Sequence, residues 1–231
     1  MNLNLERQQD VLGKTARLLA KQNVNVTTRG SRAFIAWDRH GKIQRINVPV
    51  IPRDASPDFL IAINGYLDHE VGHALNTEPM VGRAIEDAFI KASKLPTQLV
   101  RQMANIVEDV RIEACMEKEF RGSIRNLDAV RRFFMAEINK KALDAADPSD
   151  EATRRAYAIV PFFRARGGQA VAKEFMDDNN LWGLMKAYDD LFPDLSDRLS
   201  KMTNTADAVN LACEILAAFP KSEVKGEKSD E

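Results

Sequence analysis

His69-Glu70-Val71-Gly72-His73 constrains this chain more than any other segment, because its two histidines can act together only on a helix. At i and i+4 two side chains share one helix face. Both imidazoles can then ligate one metal ion, and neutral imidazole suits Zn2+. Glu70 is rotated about 100° from His69. It can therefore reach a water at the metal and take its proton without occupying a coordination position. The chain has only 3 histidines, and two of them form this pentapeptide. The flanks agree with a helix over residues 57–75. Ser56 is a good N-cap, Pro57 suits the first helical position, and Phe59, Leu60, Ile63 and Leu67 give a side to bury. Gly72 leaves room for a second element to pack closely.

A catalytic zinc needs a third protein ligand and an open position. The remaining histidine, His40, lies upstream in an expected turn, so the third ligand is sought among carboxylates. Residues 105–113, Asn-Ile-Val-Glu-Asp-Val-Arg-Ile-Glu, place three acids and an arginine inside an apolar helix. Met103, Ile106, Val107, Val110 and Ala114 predict that this helix is buried, and buried carboxylates need a metal, a cation or several hydrogen bonds. Glu108 is the expected third ligand because its extra methylene gives it reach across a helix–helix interface of about 8–10 Å. The competing fate for Glu108 is an ion pair with Arg111. Asp109 is the rival ligand, and Asp109 or Glu113 is expected to orient a histidine through its second ring nitrogen.

The rest of the chain predicts an α+β fold, mostly helical, with a small antiparallel sheet near the N-terminus. A helix is expected over 3–21, then strands over 23–28, 32–37 and 43–50. Asp38-Arg39-His40-Gly41 forms the turn between the last two. Pro49 and Pro52 suggest that the 43–50 strand is an edge, open to an extended peptide by strand addition. Helices follow over 57–75, from Pro79 through about 93, 97–120, 123–146, 148–166, 170–176, 181–191 and 206–219, with Gly122 ending the third of these. Residues 1–220 are read as one domain and 221–231 as a disordered charged tail.

Charge excludes more than it reveals. The 33 basic and 34 acidic residues give a net charge of -1, which argues against nucleic-acid binding. No apolar run approaches the ~20 residues of a membrane span, and the N-terminus is too polar for a secretory signal. Cys115 and Cys213 match no metal or disulfide spacing, so a cytoplasmic location is expected. Arg131-Arg132, Arg154-Arg155 and Arg164–Arg166 read as solvated helix faces. Tyr157 reads as packing, with an oxyanion-stabilising role as the alternative, and Cys115 as core.

A helix bearing HExxH followed by a second helix with a glutamate ligand resembles the gluzincin group of zincin metallopeptidases. More narrowly, HEVGHALNTEP followed by NIVEDVRIE resembles the N-terminal region of cobaltochelatase CobT-type proteins and of bacteriophage proteins similar to them, over about residues 60–125. The resemblance implies a zincin-like domain with zinc on His69, His73 and Glu108, Glu70 as general base, and a peptide or protein substrate. It also implies a possible AAA+ ATPase partner and, for a phage protein, the host cytoplasm. The von Willebrand factor A domain that often follows in that group is absent from this sequence. Two functions therefore follow as expectations: zinc-dependent peptide hydrolysis, or a zinc-bearing scaffold that engages an ATPase or a phage assembly with little turnover. A structural zinc site needs four protein ligands, and the sequence offers no clear fourth, which favours hydrolysis.

Overall fold

The computed structural model describes residues 10–16, 18 and 24–219. Most of the helix expected over 3–21 and the whole of the expected tail, 221–231, lie outside these residues. The described part of that helix, α1 (10–16), buries Leu12 and Ala16, whereas Val11 and Leu18 are exposed.

Three strands form one small sheet: β1 (Val26–Thr28), β2 (Phe34–Trp37) and β3 (Ile43–Val48), in the order β1-β3-β2. The sheet is mixed, not antiparallel throughout. β3 pairs in parallel with β1, Val26 opposite Ile46, and antiparallel with β2, Ile35 opposite Ile46. The strand expected at the edge is thus the central one, and β2 is an edge. Pro49 did not prevent this because β3 ends at Val48, so no ladder N–H is missing. The turn after β2 forms as expected. Asp38 accepts from the backbone N–H groups of His40 and Lys42 at 2.8 and 2.9 Å, and Gly41 supplies φ +78.

Helices build the rest. α2 (Pro57–Asn76) starts at Ser56, whose hydroxyl accepts from the Phe59 N–H at 3.1 Å. α3 (Pro79–Ser93) and α4 (Thr97–Glu119) follow. α5 (Arg121–Phe134) begins directly after the cap at Phe120, so Gly122 sits in its first turn and terminates nothing. A π-helical turn (Met135–Lys140) leads into α6 (Lys141–Ala145). Then come α7 (Glu151–Arg166) and α8 (Ala170–Asp178). A 3-10 turn (Trp182–Met185) precedes α9 (Lys186–Leu191), α10 (Leu195–Ser200) and α11 (Thr205–Ala218). α10 was not foreseen; at six residues it is too short to show a helical period.

Two cores hold these layers. Ile46 and Val48 of the sheet pack with Leu67 and Val71 of α2. Val107 and Val110 of α4 pack with Phe162, Phe163, Leu211 and Ile215 of the C-terminal helices. α2 lies between the sheet and the helices, and two glycines set how closely it packs. A Cβ at Gly72 would lie 2.9 Å from Met116 Cγ and 3.0 Å from Ile112 Cδ1 of α4. One at Gly65 would lie 2.1 Å from the Asn126 carbonyl oxygen of α5. The expected room at Gly72 is therefore filled by the helix that carries the acidic cluster.

Candidate metal centre

Three side chains converge between α2 and α4. The rings of His69 and His73 lie 4.9 Å apart, centroid to centroid. The Nε2 atoms of His69 and His73 stand 3.6 and 3.2 Å from Oδ1 of Asp109. Each residue offers one ligand atom, and these atoms lie within 4.8 Å of one another. His40, the third histidine, is exposed in its turn and takes no part.

The other ring nitrogens are held from outside. His69 Nδ1 lies 2.8 Å from Oε1 of Glu113. Glu113 is buried and also accepts from Arg131, Arg164 and Gln169. Burial alone would raise its pKa, but Arg164, His69 and Arg131 hold it well below the usual carboxylate range. An ionised carboxylate only accepts, so His69 carries a proton on Nδ1, and Nε2, which faces Asp109, is the nitrogen that binds a metal once its own proton is displaced. His73 reaches the same state by another route. Its Nδ1 lies 2.9 Å from Thr77 Oγ1, and Thr77 donates its single proton to Glu108 at 2.8 Å. The Thr77 oxygen is left to accept from His73 Nδ1–H. Both imidazoles thus present Nε2 to one point, and a carboxylate or hydroxyl behind each fixes that tautomer.

The structure does not bring Glu108 to the imidazoles. Its carboxylate is clasped by Nε and Nη2 of Arg111 at 2.8 and 2.6 Å, and it accepts from Thr77 and Thr205. The reason is angular. Successive helical residues differ by about 100°, and Asp109 shares the inward face of α4 with Asn105 and Glu113 at i±4. The longer reach of glutamate is not needed, because α4 already touches α2 at Gly72.

Electrostatics keep the carboxylates beside the imidazoles ionised. Burial opposes ionisation of Asp109, yet His69, His73 and Arg164 lower its pKa. Burial also disfavours a charged His69, but Asp109 and Glu113 outweigh it and raise the ring to about 9. A metal ion binding here displaces that proton. Glu70 is 5% exposed, and its pKa is raised by burial, with the two imidazoles opposing and Asp109 adding to the shift. The Ile35 N–H of β2 donates to it, tying the edge strand to the site.

The centre floors a cleft with two lobes that share Ala33, His69, Glu70 and Asn105. One lobe, of about 540 Å³, runs along β2 past Trp37 to Arg83 and Glu86 of α3. The other, of about 440 Å³, lies towards α5 and α7. Tyr66, not Tyr157, is the tyrosine in its lining. Two arginines expected on solvated faces belong to the site instead: Arg131 is 4% exposed on Glu113, and Arg164 bridges Glu113 and Asp109. Arg131 follows Leu127 and Val130 on the apolar side of α5, and that phase was the available signal. Cys115 is half-buried beside Arg111, not fully in the core.

Bonds of about 2.0–2.2 Å at tetrahedral angles put neighbouring donors roughly 3.3–3.6 Å apart; the two distances to Asp109 Oδ1 are 3.2 and 3.6 Å, and the three donor atoms all lie within 4.8 Å of one another. Fold and site together define an α+β protein with a preformed cluster of two histidines and one carboxylate able to hold a metal ion. The family model for cobalamin biosynthesis protein CobT matches residues 3–207, and the chain belongs to that family. Comparison with curated proteins and with solved structures finds no match. Among the described residues, no helix is long and apolar enough to cross a membrane.

Proposed function

We infer that the protein is a zinc-dependent hydrolase of peptide bonds, with His69, His73 and Asp109 as the ligands and Glu70 as the general base. The observation that carries this reading is the position of Glu70. It lies one residue from a ligand, is buried, carries a raised pKa, and lines a cleft bordered by the edge strand β2. Zinc, when bound, supplies a Lewis acid that polarises a carbonyl and lowers the pKa of water. Glu70 takes a proton from the attacking water and returns it to the leaving amine. Asp109, kept ionised by the imidazoles and Arg164, offsets cationic charge. β2 offers backbone groups to an extended peptide by strand addition, the role first expected of the 43–50 strand.

Two histidines and a carboxylate also suit ferrous iron. The adjacent Glu70, placed to take a proton from a metal-activated water, favours zinc and hydrolysis. The test is cleavage of an unfolded protein by the zinc-loaded chain, followed by mass spectrometry. Glu70→Gln should retain zinc and lose all cleavage. Equal cleavage by wild type and Glu70→Gln would reject this site as the source, and absence of cleavage by either would leave a zinc-bearing scaffold.

A further inference from the structure

We propose that the basic outer face of the sheet docks an acidic segment of a partner protein beside the cleft. This goes beyond the hydrolase reading and does not rest on it. Residues 24–50 carry five basic side chains, Arg29, Arg32, Arg39, Lys42 and Arg45, against one acid, Asp38. The chain as a whole is net -1, so the remainder carries an excess of acid and the sheet is a local positive pole.

The fold gathers these residues on one side. Alternate residues of a strand share a face. Ile46 packs into the core with α2, so Arg45 and Asn47 belong to the opposite, outer face. Asn47 Nδ2 donates to the carbonyl oxygens of Arg29 and Arg32 at 2.8 and 2.7 Å, which folds the loop between β1 and β2 over that face. The turn after β2 brings Arg39 and Lys42 to the other end of β3. β3 has 6 residues, so the stripe that follows it spans roughly 20 Å.

Uncompensated charge is the second observation. Many exposed cations on the helices meet a carboxylate, as Lys186 meets Asp190, Lys201 meets Asp197 and Arg132 meets Glu174. None of the five basic residues of the sheet forms an ion pair among the described residues. Asp38 accepts instead from the backbone N–H groups of His40 and Lys42. Arg45 lies over the Phe34 ring, 5.3 Å from its centroid, and its Nε is buried with no hydrogen-bond partner. Arg29, Arg32, Arg39 and Lys42 are exposed, so their charge is available to a ligand from outside.

Charge complementarity fixes the occupant. One exposed ion pair contributes little, so the ligand must bring several carboxylates within the same span. About six extended residues cover that length, and a run rich in aspartate and glutamate meets the need. Nucleic acid fits less well, because unpaired bases seek aromatic faces to stack on, and Arg45 already covers the Phe34 ring. Arg32 and Ala33 also border the cleft. A segment held on the sheet therefore lies next to the candidate metal centre.

The experiment titrates zinc-loaded Glu70→Gln protein with a fluorescent peptide of alternating glutamate and serine. Binding should weaken as salt is added. Arg29→Glu combined with Lys42→Glu reverses both ends of the stripe and should weaken binding roughly tenfold or more, with zinc content and melting temperature unchanged. Arg132→Glu combined with Lys173→Glu makes the same change in net charge on α5 and α8, and should leave affinity within about twofold. Equal losses in the two double variants, or no loss in the first, overturn the proposal. Equal binding of a peptide of alternating lysine and serine does the same. Single-stranded DNA that binds as tightly as the acidic peptide, or self-association lost with the Arg29 and Lys42 reversals, assigns the surface to another occupant and likewise overturns it.

Discussion

Glu113 Oε1 lies 2.8 Å from His69 Nδ1, on a carboxylate that Arg131, Arg164 and Gln169 also grip. One buried acid therefore orients a candidate ligand and pairs with two arginines brought in by α5 and α7. Removing it should act twice. Glu113→Ala strands guanidinium charge in the interior, a change that costs about 3–5 kcal/mol when one member of a buried pair is lost. Arg131 keeps Glu117 and Asp128, so the lower end is expected. Glu113→Gln should weaken zinc binding about 10–100-fold. Thermal melts and zinc competition read the two effects, and wild-type values in both would refute this role.

Metal removal should destabilise the native state. An ion that binds only the folded protein adds about 4 kcal/mol at a thousand times its dissociation constant. Chelation should lower the melting temperature of the wild type but not of His69→Ala or His73→Ala. Elemental analysis of protein purified without added metal should find one zinc per chain. Stoichiometric iron in its place would overturn the choice of metal.

Gly65 is expected to tolerate no side chain. Its Cβ would meet the Asn126 carbonyl oxygen at 2.1 Å and Val130 Cβ at 2.7 Å. Neither is the end of a flexible chain, so α2 and α5 must separate. Gly65→Ala should cost at least the ~1–3 kcal/mol typical of overpacking, visible as a lower denaturation midpoint. Gly122→Ala is the control, because its Cβ meets nothing within 4 Å. There the gain in helix propensity, up to about 1 kcal/mol, should leave the protein as stable or more so.

The parts of this site that were legible in the sequence are the local ones. His69 and His73 share a face because i and i+4 always do on a helix. Ser56 and Pro57 fixed where that helix begins. The acidic cluster of α4 announced itself as charge within an apolar stripe. What could not be read was rotation. Whether Glu108 or Asp109 faces the histidines depends on how α4 is turned against α2, and that follows from Gly72, Met116 and Ile112 packing together. Arg164 was beyond reach for a similar reason. It comes from α7, 51 residues after Glu113, and nothing local distinguishes it from a solvated arginine. Strand order was ambiguous too, since Pro49 is compatible with an edge strand or with a central strand that ends one residue earlier.

The sharpest test compares Asp109, Glu108 and Thr77. Asp109 Oδ1 is the carboxylate oxygen near both Nε2 atoms, so Asp109→Asn should weaken zinc binding more than any change further out. Glu108 acts on the site only through Thr77, which it holds at 2.8 Å. Without that acceptor Thr77 is free to donate to His73 Nδ1, which favours the tautomer with its proton on Nε2, where the metal must bind. Glu108→Gln also disturbs Arg111, so the cleaner variant is Thr77→Val, which keeps shape and removes the hydroxyl. Thr77→Val should cost about 10–100-fold in affinity, and Thr77→Ser should restore most of it. Competitive zinc titration at fixed pH is required, because protons compete for the imidazoles. If Glu108→Gln abolishes binding while Asp109→Asn and Thr77→Val leave it intact, Glu108 is the ligand and α4 is turned by about 100° from the orientation described. If Thr77→Ser is as weak as Thr77→Val, the hydroxyl does not set the tautomer, and the methyl group of Thr77 matters only for packing.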